Sequence, residues 1–122
     1  YADLFNLESS DLSLLYILRM LSRDGQTLSG IVKPLQKYFH SGEINFKITD
    51  KEAILKKLEK KYTSKTNKIS HLDGLWVKTP WGMISVRASN TEPVLRLNLE
   101  ADSQEKMEEE LQKIEKIINS AD

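Results

Sequence analysis

Cysteine is absent from the 122 residues, which excludes disulfides, thiolate metal ligands and a cysteine nucleophile, and fits a cytoplasmic setting. No apolar run approaches the roughly 20 residues of a membrane-crossing helix. The N-terminus has neither the basic nor the apolar region of a secretion signal, so a soluble protein is expected. Net charge is missing too: 18 Lys plus Arg balance 18 Asp plus Glu, so no global field draws the chain to nucleic acid or to an anionic membrane. Any anion site must be local. The two histidines, His40 and His71, have no neighbouring ligand pattern and read as structural. Asp3, Asp11, Asp24, Asp50, Asp73 and Asp102 are scattered near turns and caps without metal-ligand spacing, and no serine lies in a nucleophile motif. Neither a metal site nor a catalytic residue is expected, and no internal repeat or low-complexity segment occurs.

What is present suits one modest domain with a flanking piece. Leu12, Leu14, Leu15, Tyr16, Ile17, Leu18, Met20 and Leu21 crowd one segment, more than a single-sided surface helix carries. Ser9 or Ser10 can cap this helix, and Gly25 can end it in the left-handed conformation, giving a helix from about 10 to 23. The chain begins Tyr1-Ala2-Asp3 without an initiator methionine, so it is expected to be cut from something longer, with part of this apolar surface facing protein outside it. Leu28, Ile31, Val32 and Leu35 repeat at helical spacing after a possible Thr27 cap, but Pro34 removes a backbone donor, which predicts a short or kinked helix.

Ile44, Phe46 and Ile48 alternate with polar residues as in a strand with one buried face, and the main domain boundary is placed between about 25 and 40. Thr49-Asp50-Lys51-Glu52 reads as a capping box opening a helix with the stripe Ile54, Leu55, Leu58 and Tyr62. Residues 63–70 read as a polar loop. Leu75 and Val77, then Ile84 and Val86, alternate on either side of the turn Thr79-Pro80-Trp81-Gly82, which predicts a hairpin. Leu95, Leu97 and Leu99 form a last strand with Arg96, Asn98 and Glu100 on its other face. Asp102 and Glu105 can cap a final helix with the stripe Met107, Leu111, Ile114, Ile117 and Ile118. The economical architecture is α+β: a four-stranded, mainly antiparallel sheet with two helices on one face, preceded by one or two helices. The other sheet face is left for function or docking. Trp76 and Trp81 flank the hairpin and read as buried at a domain edge. The clusters Lys56-Lys57, Lys60-Lys61 and Glu108-Glu109-Glu110 read as solvated helix faces.

The chemistry concentrates between the last two strands, in Arg87-Ala88-Ser89-Asn90-Thr91-Glu92-Pro93 followed by Arg96. Two arginines, whose planar forks match phosphate oxygens, bracket the loop. Ser89 and Thr91 offer hydroxyls, Asn90 offers an amide, and small polar residues let backbone amides converge on one anion. Pro93 fixes the exit of the turn. The same residue types also make an ordinary hairpin loop.

This loop resembles the phosphate-binding loop in the C-terminal domain of the α-D-phosphohexomutase family, with wording similar to its bacterial phosphomannomutase/phosphoglucomutase branch. Ser41-Gly42-Glu43-Ile44-Asn45, His71-Leu72-Asp73-Gly74 and Leu97-Asn98-Leu99-Glu100-Ala101 resemble that branch in the same order, so the likeness covers nearly the whole chain. The resemblance implies that residues 1–25 end the family's third domain, residues 26–39 connect, and residues 40–122 form its fourth domain with a TATA-binding-protein-like sheet. It further implies that Arg87, Ser89, Asn90 and Thr91, and with them Arg96, hold the phosphate that is not being transferred between positions 1 and 6 of a hexose phosphate. Glu92 and Pro93 would orient the loop, because a carboxylate facing phosphate repels it. The nucleophilic serine, the Mg²⁺ ligands and the sugar-selecting loop of the family have no counterpart here, so this fragment alone is expected to bind no metal and to be inactive. The partners implied are a mannose or glucose phosphate and the upstream domains of the same chain. The family's phosphoglucosamine branch, an alternative, usually has glycine where this chain has Asn90. Two readings from other classes compete: a nucleic-acid-binding module using the open sheet face, against which zero net charge speaks, and a docking domain whose loop is incidental.

Overall fold

The computed structural model describes residues 1–120, with Asp3 described by its backbone alone, so the reading of the Asp3 side chain and the last two positions of the 40–122 span lie outside the described residues. Backbone contacts separate Tyr1–Gln36 from the chain that starts at Lys37.

In the first unit, a short 3-10 turn Ala2–Leu4 precedes helix α1, Ser10–Asp24. Ser9 is its cap, with the hydroxyl accepting from the Leu12 amide at 3.2 Å. Gly25 ends it at φ 59°, a left-handed conformation open to glycine, with its amide on the Leu21 carbonyl. Helix α2, Leu28–Val32, is capped by Thr27 and gives way to a 3-10 turn, Lys33–Leu35, where Pro34 cannot continue the α-helical bonding. Leu14, Leu15, Tyr16, Ile17, Leu18 and Met20 of α1 are exposed.

The second unit contains β1 (Phe39–His40), β2 (Ile44–Lys47), α3 (Lys51–Tyr62), β3 (Lys68–Ser70), β4 (Leu75–Thr79), β5 (Gly82–Ala88), β6 (Val94–Ala101) and α4 (Gln104–Asn119). Every strand pairing is antiparallel. β5 lies between β6 and β4, β3 forms one edge, and β1 and β2 both line the outer side of β6. The last two are halves of one interrupted strand. Between them Gly42 turns at φ +67°, while Ser41 bridges the gap: its amide donates to the Leu99 carbonyl at 2.9 Å and its hydroxyl accepts from the Leu99 amide at 3.0 Å.

The four expected strands are present, and β1 and β3 extend the edges. The loop expected over 63–70 therefore needs correction at its end, where Ile69 pairs with Val77 and turns toward the core. Two caps also differ from expectation. Asp50, one residue after Thr49, accepts from the Ala53 amide at 3.0 Å, and Ser103, one residue after Asp102, accepts from the Lys106 amide at 3.1 Å. In each case the side chain oxygen with the right reach to the third following amide wins.

Alternation across the strands builds the core. Leu75 and Val77 of β4, Ile84 and Val86 of β5, and Leu95, Leu97 and Leu99 of β6 are buried together against Ile54, Leu58 and Tyr62 of α3 and Ile114 and Ile118 of α4. Each such side chain contributes about 1.5–3 kcal/mol by leaving water. The two helices cover this face, and the opposite residues, Trp76, Ser85, Arg87, Arg96 and Asn98, form the open face.

Glu110 departs from the expected solvated helix face. Glu108 and Glu109 are exposed, but Glu110 is 5% exposed beneath α3. It accepts from Tyr62 Oη at 2.8 Å, Lys106 Nζ at 2.9 Å and Lys113 Nζ at 2.8 Å. Burial pushes its carboxyl up, yet the bonds from Lys113, Lys106 and Tyr62 outweigh it and hold the group below the usual glutamate range. Burial first, and the Glu110 carboxylate next, raise the Tyr62 phenol far above its ordinary range. Among the described residues no helix is long and apolar enough to cross a membrane.

Candidate anion site at the β5–β6 loop

Strand register sets the site. Arg87 at the end of β5 lies directly opposite Arg96 of β6, and Arg96 lies opposite Asn45 of β2, so the open face carries a row Asn45, Arg96, Arg87. Like charges directly opposite each other across a ladder repel. Carboxylates offset this on both sides. Asp73 Oδ2 accepts from Arg87 Nη1 at 3.2 Å, and Glu92 Oε2 accepts from Arg96 Nη2 at 3.4 Å. Glu43 approaches Arg96 Nε only to 4.0 Å, beyond hydrogen-bond reach. That Nε is buried and has no acceptor.

The loop between the arginines is closed by its own bonds. The Ser89 amide donates to the Val94 carbonyl at 3.0 Å, extending the ladder by one step. The Ser89 hydroxyl, nearly buried, accepts from the Glu92 amide at 3.3 Å. Pro93 offers its carbonyl to the Ile48 amide at 3.0 Å, tying the exit of the loop to the end of β2. The amides of Asn90 and Thr91 take no part in these bonds, and both residues are exposed. Asp73, Gly74, Arg87, Ala88, Ser89, Asn90, Thr91, Arg96 and Leu55 line a cleft of about 490 Å³. All five candidate phosphate ligands named from the sequence thus meet at one cleft, with Glu92 and Pro93 at its supporting loop.

Two contributors are not legible as site residues in the sequence. Asp73, counted among scattered aspartates, is delivered to Arg87 by Gly74, which sits at φ +79° pressed against β5; a Cβ there would lie 2.5 Å from the Val86 carbonyl oxygen. The Asp-Gly pair ahead of β4 is the signal. Lys51, read as part of a capping box, extends from α3 to the loop backbone, donating to the carbonyls of Ser89 at 2.7 Å and Glu92 at 3.1 Å.

The two histidines and two tryptophans stay outside the cleft. His71 Nε2 lies 3.2 Å from Glu59, and His40 is exposed on β1. Trp81 packs on the core with Lys106 Nζ 5.4 Å from its ring centre. Trp76, expected to be buried, is instead half-buried on the open face, away from the core, where its indole donates to Met83 Sδ at 2.6 Å.

Fold and site together define an α+β domain whose antiparallel sheet ends in a cleft lined by paired arginines and a Ser-Asn-Thr loop. The chain belongs to the phosphoglucomutase/phosphomannomutase family, its residues 43–117 matching the family's C-terminal domain. It is 38% identical over its full length to a phosphomannomutase of Methanocaldococcus jannaschii, of which it covers 27%. To a phosphomannomutase/phosphoglucomutase of Pseudomonas aeruginosa it is 34% identical over 106 residues, 85% of this chain and 23% of that one. A solved structure of a phosphoglucomutase/phosphomannomutase family protein from Burkholderia thailandensis shares its fold, with a TM-score of 0.56 at 24% identity over 76% of this chain and 20% of that one. The chain spans about a quarter of the length of the curated relatives it matches.

Proposed function

We propose that this domain grips the phosphate group of a hexose phosphate that is not being transferred, within a larger enzyme that moves a phosphoryl group between positions 1 and 6 of the sugar. The observation that carries the reading is the Arg87–Arg96 pair, set opposite each other and lining one cleft with Ser89, Asn90 and Thr91. Two guanidiniums side by side repel each other, and an anion in the cleft relieves that repulsion while accepting their charge-assisted hydrogen bonds. The hydroxyls of Ser89 and Thr91 and the side chain of Asn90 supply neutral donors, while Asp73 and Glu92 hold the arginines in place.

The chemical contribution is positioning. A phosphate fixed at one end of the sugar orients the hydroxyl at the other, converting affinity into alignment for transfer elsewhere. The described residues hold no group of three or more His, Cys, Asp or Glu that could hold a metal ion, so the Mg²⁺ implied by the family does not fit them and no step here runs through it. On this reading the fragment alone is inactive, and nucleophile, metal and sugar selection belong to the rest of the parent enzyme, which acts in the cytoplasm. Asn90 in place of glycine favours mannose or glucose phosphates over glucosamine phosphates.

Titration of the ¹⁵N-labelled chain with glucose 6-phosphate or mannose 1-phosphate tests this. Shifts are expected first at residues 87–91 and at Arg96, and Arg87→Ala is expected to weaken them by about tenfold or more. A response confined to other residues, or binding untouched by Arg87→Ala, overturns the reading.

A further inference from the structure

We infer that Lys51 is a positioning residue for the anion site, one that sets the shape of the loop from outside it; the inference rests on the phosphate-binding reading above. Lys51 occupies the first turn of α3, where the helix dipole presents positive charge and an ammonium is unfavourable. Its compensation lies across the cleft wall. One half-buried ammonium donates to the Ser89 carbonyl at 2.7 Å and to the Glu92 carbonyl at 3.1 Å, residues on either side of Asn90 and Thr91.

The consequence follows from peptide geometry. In a trans peptide the C=O and the next N–H point in opposite directions, and the peptides of this loop, like the others among the described residues, are trans. Turning the Ser89 carbonyl onto Lys51 therefore turns the Asn90 amide away from Lys51, and that amide has no acceptor within the loop. Turning the Glu92 carbonyl the same way fixes the far end just ahead of Pro93. Both ends of the loop are pinned by one side chain on a rigid helix, and the donors between them are left free. The same ammonium takes up the Ser89 carbonyl and shares the Glu92 carbonyl with the Val94 amide, which donates to it at 2.8 Å. Preorganised donors of this kind bind an anion without a rearrangement at the moment of binding.

Lys51→Met keeps the aliphatic stem and removes the donor; Lys51→Arg keeps charge and donors. The parent chain, both variants and Arg87→Ala are titrated with inorganic phosphate and glucose 6-phosphate at low and high salt, with amide exchange of residues 89–94 followed without ligand. Lys51→Met is expected to weaken phosphate binding by roughly tenfold, to keep that deficit at high salt, where a bare charge effect is screened, and to speed exchange in the loop. Lys51→Arg is expected to restore most of the affinity. If Lys51→Met binds like the parent, or its deficit vanishes in salt with loop exchange unchanged, the positioning role is overturned. Should Arg87→Ala bind like the parent, the phosphate reading itself fails, whatever Lys51 does. A melting curve close to the parent's confirms that the variants fold; a Lys51→Met chain that unfolds overturns the positioning role in favour of a structural one.

Discussion

Arg96 sits uneasily in the free chain. It faces Arg87 directly across the ladder, and its Nε is buried without an acceptor. Its bond to Glu92 is largely exposed and worth little. Arg96→Ala is therefore expected to leave stability within about 1 kcal/mol of the parent, or to raise it, while phosphate affinity drops by about tenfold or more. Melting curves with and without phosphate separate the two effects, and a large destabilisation in the absence of phosphate would contradict the first. Glu110 has the opposite character, structural and far from the cleft. Glutamine keeps one acceptor oxygen but removes the charge and turns an NH₂ donor toward either Tyr62 or the two lysines, so Glu110→Gln is expected to cost about 2–3 kcal/mol in urea unfolding at neutral pH. Its carboxyl titrates below the ordinary 4.5 in the folded chain, so its contribution is present above that value and is lost as pH falls through the lower folded value. Acid unfolding of Glu110→Gln should lack this component of the pH dependence.

At the scale of elements, periodicity made the long pieces legible: the apolar stripes of α3 and α4 and the alternation of β4, β5 and β6 pack toward the core as the sequence pattern predicts. Short pieces escaped for physical reasons. β3 has one apolar residue, Ile69, too few to display a period, and it exists because Val77 of β4 offers a partner. The caps of α3 and α4, Asp50 and Ser103, each follow the residue the pattern favours by one position, since several neighbouring side chains could serve and only backbone geometry selects among them. Glu110 was hidden within an acidic run whose other members are solvated. At the site, the loop residues were legible because their chemistry is local, whereas Asp73 and Lys51 arrive from elements distant in sequence. The Gly74 turn is the element that brings Asp73. Gly74→Ala is expected to destabilise by about 1–3 kcal/mol, because φ +79° is strained for alanine and the added carbon meets the β5 backbone. It should also shift the Arg87 side-chain resonance, which reads the loss of its carboxylate partner.

Over the whole chain, firmness is unevenly distributed. α1 and α2 bury none of their residues, whereas β4, β5 and β6 carry an unbroken set of buried side chains. Hydrogen exchange is expected to be fast across residues 1–36 and slowest in β5 and β6, with opening of the sheet requiring global unfolding; equal protection in both units would refute this. Because charge sums to zero, any anion the cleft holds is held by its local arginines, and on the proposed reading added phosphate is expected to raise the melting temperature only of the sheet unit. The interrupted edge at Ser41 and Gly42 has a further consequence. A long, straight outer strand is a template on which a second chain can grow its own strand. Here one edge is broken into segments of two and four residues, with Ser41 bent inward to serve Leu99, and the other is three residues long and begins with Lys68. Neither border offers a foreign strand enough consecutive docking points, so this sheet, bare on one face, is guarded along its sides against fibrous growth.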